Sequence, residues 1–179
     1  MPFNPPDRVR VSRHYIQPWA GFPNSSVCNK PLYIYHGAFS ASRDIDLSSV
    51  IPSDVVVPQW EYSMYTTSHF HSNTPEVLFV VSGSADLCFG GPDNPHKLLQ
   101  LLKAGDVVIV PPGVAHNLVE DRDGDFQMVG CYPPGKSWDM CYGKKGEKDV
   151  ASNIEAAGWL KGDPVWGDKG PVVDDARSS

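Results

Sequence analysis

The sequence has no long apolar run, no excess of positive charge and no closely spaced cysteine pair, and each absence removes a class of function. Its apolar runs, as in 55–57, 77–81 and 107–110, stop at strand length. That is far short of the ~20 residues needed to cross a bilayer, so no membrane partner is expected. The opening Met-Pro-Phe-Asn-Pro-Pro-Asp has neither the cationic start nor the apolar stretch of a secretory signal, and a cytoplasmic protein is expected. Lysine and arginine number 15 against 21 aspartates and glutamates, a net charge of −6 over 179 residues. Proteins that bind a phosphate backbone usually carry a basic stripe, so no nucleic acid is expected. Cys28, Cys88, Cys131 and Cys141 show no Cys-x-x-Cys spacing and read as reduced thiols. There is no internal repeat, no low-complexity block and no recognisable helix-turn-helix in residues 1–50. A chain of this length buries a core without disulfides or a structural metal, so any metal it carries is free to serve chemistry.

Turn formers are what the chain has in quantity. Seventeen prolines and sixteen glycines break the apolar runs every ten residues or so, the mark of an all-β sandwich or barrel. Candidate strands lie at 32–35, 55–66, 69–71, 77–82, 85–89, 97–102, 106–110, 117–119 and 126–131. Many are continuous apolar runs, which period alone does not separate from buried helix; their shortness and their Val, Ile and Phe content favour strand. Residues 1–30, with Tyr15, Trp19 and Phe22 among prolines and serines, read as an N-terminal arm laid over a barrel of residues 31–142. Residues 143–173 form a C-terminal helix and extension. The helix falls in 147–160, with Val150, Ile154 and Ala157 at helical spacing and an end at Gly158. Residues 174–179 read as a disordered tail.

The chemistry-bearing residues lie in the middle. His69 and His71 are two residues apart, and on a strand such side chains share a face. On a helix they would diverge by about 200°. Asn73-Thr74-Pro75 is turn material, and Glu76 then opens an apolar strand beside the imidazoles. Further on, Gly105-Asp106 opens 107–110, Pro111-Pro112-Gly113 turns the chain, and His116 follows. Three imidazoles and a carboxylate suit a divalent first-row metal with coordination positions to spare. Singly, each residue is equally well a solvated or hydrogen-bonded side chain, and the glycines need supply no more than turn conformations.

Jointly the pattern is ordered. His69-x-His71-x4-Glu76-x6-Gly83 and Gly105-x5-Pro111-x-Gly113-x2-His116 resemble the two motifs of the cupins, here with the short separation of compact members. Ser63 stands where the first motif usually opens with glycine, and Glu120 where the second usually closes with asparagine. Tyr132-Pro-Pro-Gly135, Trp138-Asp-Met140 and Asp163-Pro-Val-Trp-Gly167 are similar to a group of small stand-alone bacterial and fungal cupins. The resemblance implies a single double-stranded β-helix, or jelly-roll, barrel with a metal inside one mouth. It implies ligand roles for His69, His71, Glu76 and His116 and one divalent transition metal (Fe, Mn, Ni, Zn or Cu). It also implies a homodimer, closing exposed strand edges and one broad sheet face against a second copy.

A closed barrel of this size admits one small molecule and no polymer. Alternation puts Leu78 and Val80 on the face of Glu76, and Trp60, Tyr62 and Met64 on one face of the preceding strand; of these, Leu78, Val80, Tyr62 and Met64 are expected around the substrate. Glu76, with its pKa raised toward neutrality, is a candidate general base, and Tyr62 a candidate catalytic partner. The leading expectation is a metal-dependent oxygenase on an enolisable or phenolic small molecule. A redox-neutral isomerase, lyase or decarboxylase and a non-catalytic binding or sensing barrel are the alternatives.

Overall fold

A computed structural model describes residues 2–179. Nine strands form two antiparallel sheets that face one another. The larger sheet contains β1 (Arg10–His14), β2 (Leu32–His36), β3 (Val57–Tyr62), β4 (Glu76–Ser82), β7 (Val107–Val110) and β9 (Gln127–Tyr132), in the order β1-β2-β7-β4-β9-β3. The smaller contains β5 (Ser84–Phe89), β6 (Leu98–Lys103) and β8 (His116–Asp121), in the order β6-β5-β8. This is the all-β jelly-roll barrel expected from the motifs. Helix α1 (Ser25–Cys28) is a single turn, and α2 (Val150–Ala157) ends at Gly158 as its spacing predicts.

The central strands β2, β4 and β7 of the larger sheet are buried on both faces, which is why they read as unbroken apolar runs. One face turns Leu32, Ile34, Leu78, Val80, Val108, Val110 and Met128 into the barrel, where they meet Leu87, Phe89 and Leu102 of the smaller sheet. The other carries Tyr33, Tyr35, Val77, Phe79, Val107 and Ile109 under Phe39, Leu47, Ile51, Val55, Leu160, Val165 and Val172. The chain thus covers much of this broad face with its own segments.

Two further expectations need correction. The N-terminal arm is partly sheet: Arg10–His14 pairs along its length with β2 as an edge strand. Its alternation is hidden because Arg-Val-Ser-Arg-His offers one apolar side chain, the charged composition that edge strands often carry. Residues 174–179 are not a disordered tail, for α3 (Pro171–Ser178) includes them up to Ser178. Proline sits at the start of α3, where it leaves no orphan N–H, and Asp174 in the first turn and Arg177 in the last stand where the helix dipole favours their charges. The helix is tied down by buried Val172 and by Asp175, which accepts hydrogen bonds from Arg13 Nε (2.7 Å), Arg13 Nη2 (3.0 Å) and Tyr33 Oη (2.7 Å). Among the described residues no helix is long and apolar enough to cross a membrane.

Candidate metal centre

His69, His71, Glu76 and His116 meet at one mouth of the barrel, all buried. The strand expected over 55–66 stops at Tyr62, and the His-x-His segment is extended chain held by single bridges. His69 pairs with His116 through two backbone hydrogen bonds of 3.2 and 2.9 Å, and Phe70 pairs with Cys141. Phe70 between them is buried with its ring edge-on to Phe22, and alternation along the extended chain puts His69 and His71 on one face. Glu76 begins β4 and His116 begins β8. The turn between β7 and β8 depends on Gly113 (φ +96°), where a β-carbon would sit 3.0 Å from Ile154 and 3.1 Å from the Asn24 carbonyl.

The ligand atoms of the three histidines lie within 4.8 Å of one another. Each imidazole is oriented by a backbone carbonyl at its Nδ1: Thr67 O at 2.9 Å from His69, Asp139 O at 2.6 Å from His71 and Val114 O at 2.9 Å from His116. A carbonyl oxygen only accepts, so each Nδ1 carries the proton and each Nε2 is left with its lone pair. His71 Nε2 and His116 Nε2 have no hydrogen-bond partner, nor has Glu76 Oε2. Yet Glu76 Oε1 is 3.3 Å from His71 Nε2, and Oε2 is 3.1 Å from His116 Nε2. Buried acceptors facing acceptors are unfavourable until a proton or a cation lies between them. The donor set therefore fits a divalent ion, with carbonyl-held imidazoles of the kind common at such sites.

Without a metal, protons take that part. Burial opposes charge on His71, but neighbouring Glu76 and the hydrogen bond to Asp139 outweigh it, and its pKa lies above the ordinary value. Burial works against ionised Glu76 too, yet the flanking imidazoles win and hold it well below the usual carboxylate range. The base role was expected to go with a raised pKa, and the neighbours produce the reverse. His69, lacking such a carboxylate contact, is pushed down to about 3 by burial and by His116.

Above the imidazoles opens a cavity of about 280 Å³. Of the four residues expected around the substrate, Tyr62 and Met64 line it and Leu78 and Val80 do not. They do share the face of Glu76, but that face runs inward, where Leu87, Phe89 and Met128 fill the barrel, so that only Glu76 of these three reaches the mouth. Tyr62 lies at the rim, 55% exposed. The phenol against Glu76 is Tyr132, whose Oη donates to Oε1 at 2.6 Å and accepts from Trp60 Nε1 at 2.8 Å. Sequence reasoning put Trp60 on one face with Tyr62 and Met64 but missed the role of Tyr132. The clue was the pairing of β4 with β9, which aligns Val77 with Cys131 and so brings Tyr132 beside Glu76. Trp60 reaches Tyr132 by lying flat on Gly130, where a β-carbon would come within 2.1 Å of the indole. Trp138 and Met140 complete the wall from the loop that also supplies Asp139 O to His71.

Comparison with known proteins agrees with this geometry. The family model described as Cupin domain matches residues 61–131. The uncharacterized protein YjlB of Bacillus subtilis (strain 168) is 32% identical over 146 residues, covering 80% of this chain and 84% of that one. The chain is a cupin. This cupin is also 28% identical over 106 residues to a glucose-6-phosphate isomerase of Thermococcus litoralis, 56% of this chain and 54% of that protein, so it spans about half of that relative. Among solved structures, the oxalate decarboxylase of Bacillus subtilis superposes with a TM-score of 0.40 at 19% identity. That match takes in 63% of the cupin and 27% of the decarboxylase chain, about a quarter of its length.

Proposed function

We propose that this cupin is a metal-dependent enzyme acting on a small organic molecule, an oxygenase on an enolisable or phenolic substrate. The observation that carries the reading is the set of three imidazoles whose Nδ1 protons are committed to carbonyls, with His71 Nε2, His116 Nε2 and Glu76 Oε2 buried and unpartnered at the floor of a cavity. His69, His71 and His116, with Glu76 beside them, would hold the ion. When bound, such an ion supplies Lewis-acid polarisation of a substrate oxygen and, if redox-active, a route for electrons to dioxygen.

The chain's own residues supply the rest. Glu76 is held as a carboxylate by His71 and His116, which suits it to face a cation and leaves it a weak base. Tyr132 fixes Oε1 and leaves Oε2 without a hydrogen-bond partner beside the imidazoles. Trp60, Met64, Trp138 and Met140 wall off water. A second reading, a redox-neutral isomerase, is favoured by the similarity to the glucose-6-phosphate isomerase of Thermococcus litoralis.

Oxygen uptake separates the two. Iron-loaded protein given catechol is expected to consume oxygen faster than the metal-free protein does. No uptake, with conversion of glucose 6-phosphate to the ketose in its place, would establish the isomerase.

A further inference from the structure

The side chains above the candidate centre form a surface of narrow chemistry. The cavity wall is made of the rings of Trp60, Tyr62, Tyr65, Tyr132 and Trp138 and the thioethers of Met64 and Met140. Glu76 is the one charged side chain other than histidine that lines it, and it is already engaged by Tyr132 and faces His116. A second chamber of about 450 Å³ adjoins the first across Tyr65, His69, Trp138 and Met140, and adds the hydroxyls of Thr66, Thr67 and Tyr142. Among the described residues neither chamber is lined by lysine or arginine. Lys144 Nζ rests on the ring of Tyr142, 5.5 Å from its centre, outside both linings.

Trp138 is the joint between the chambers. Its ring stacks on Tyr132 with centroids 4.8 Å apart and planes within 11°. Its loop is held on both sides, by the carbonyl of Asp139 on His71 and by the pairing of Cys141 with Phe70. The aromatic surface is thus built in advance of any ligand and is kept in register with the imidazoles. Such a wall favours flat apolar molecules, through burial and ring stacking. A phosphate or a carboxylate lying against it, away from the imidazoles, would lose its water and gain no lysine or arginine as partner. The net charge of −6 opposes anions at longer range as well.

We infer that the substrate is an uncharged, planar molecule of one or two rings, gripped by Trp138 and its aromatic neighbours, and that the site rejects phosphorylated sugars and small dicarboxylates. The inference rests on the proposed metal centre only for the polar end of that molecule. The ring end rests on the wall.

The test is a fluorescence titration of the full chain, zinc-loaded so that no redox turnover occurs, with catechol, glucose 6-phosphate and oxalate in turn, repeated on metal-free protein. Catechol is expected to bind at least tenfold more tightly than either anion in both states. Trp138→Ala is expected to weaken catechol at least tenfold while zinc content stays at the wild-type level. Met140→Lys, which adds a cation to the wall, is expected to reverse the ranking. Tighter binding of either anion by the wild-type protein, or a catechol affinity untouched by Trp138→Ala, overturns the inference. Zinc content is measured on the same samples, so failure of the metal reading shows as an empty centre, while the ranking on metal-free protein judges the substrate class by itself.

Discussion

Tyr132 ties the aromatic wall to the candidate centre, for its hydroxyl joins Trp60 Nε1 to Glu76 Oε1 in one chain of hydrogen bonds. A hydrogen bond to a buried carboxylate contributes roughly 1.5–3 kcal/mol. Tyr132→Phe is therefore expected to lower unfolding stability by about that amount in denaturant titrations and, by loosening Glu76, to weaken metal binding roughly tenfold or more. The imidazoles give a pH signature in metal-free protein. His69, held to about 3, stays neutral in the fold while the unfolded chain takes a proton, so stability falls as pH drops below about 6.5. Glu76 adds to that fall below about pH 4.3, where the unfolded carboxylate protonates and the folded one resists. His71 acts oppositely: its raised pKa contributes stability that is fully present below about 6.5 and is lost as pH rises through the folded value. Denaturation midpoints measured in EDTA should peak near pH 6.5, and His69→Gln should flatten the acid limb.

At the scale of elements, the close fit of β3 on β9 positions Trp60. Trp60 is paired with Gly130, and the missing side chain is the space its indole fills. Gly130→Ala is expected to cost about 1–3 kcal/mol and to change tryptophan fluorescence by displacing that ring. The C-terminal helix offers a second check. Ending the chain at Gly170 removes the burial of Val172 and the bonds of Asp175 to Tyr33 and Arg13, and is expected to lower stability by about 2–4 kcal/mol. These two elements mark where the sequence is readable and where it is not. The strands of the barrel and the positions of His69, His71, Glu76 and His116 could be read directly, because apolar runs, turn residues and ligand spacing are local patterns. β1 and α3 could not, because their place is set by partners far along the chain, β2 for one and Arg13 and Tyr33 for the other. The site roles of Tyr132 and Trp138 were hidden for the same reason: each reaches the cavity through strand pairing or loop docking that no local pattern encodes, whereas alternation did place Trp60 with Tyr62 and Met64.

Across the whole molecule, the two faces of the larger sheet divide the work. The outer face takes the chain's own N-terminal and C-terminal segments and carries stability; the inner face fills the barrel and leaves a polar cluster at one open end. The buried histidines and glutamate lie outside both apolar clusters, which hold the barrel and its outer face together. The central claim is that this cluster binds a metal. It is tested most directly by elemental analysis of protein purified without a chelating tag, alongside His116→Ala. About one divalent transition-metal ion per chain in the wild type, absent from a folded His116→Ala variant, is the predicted result. Wild-type protein that takes up no such ion, or a variant that keeps it, would contradict the account.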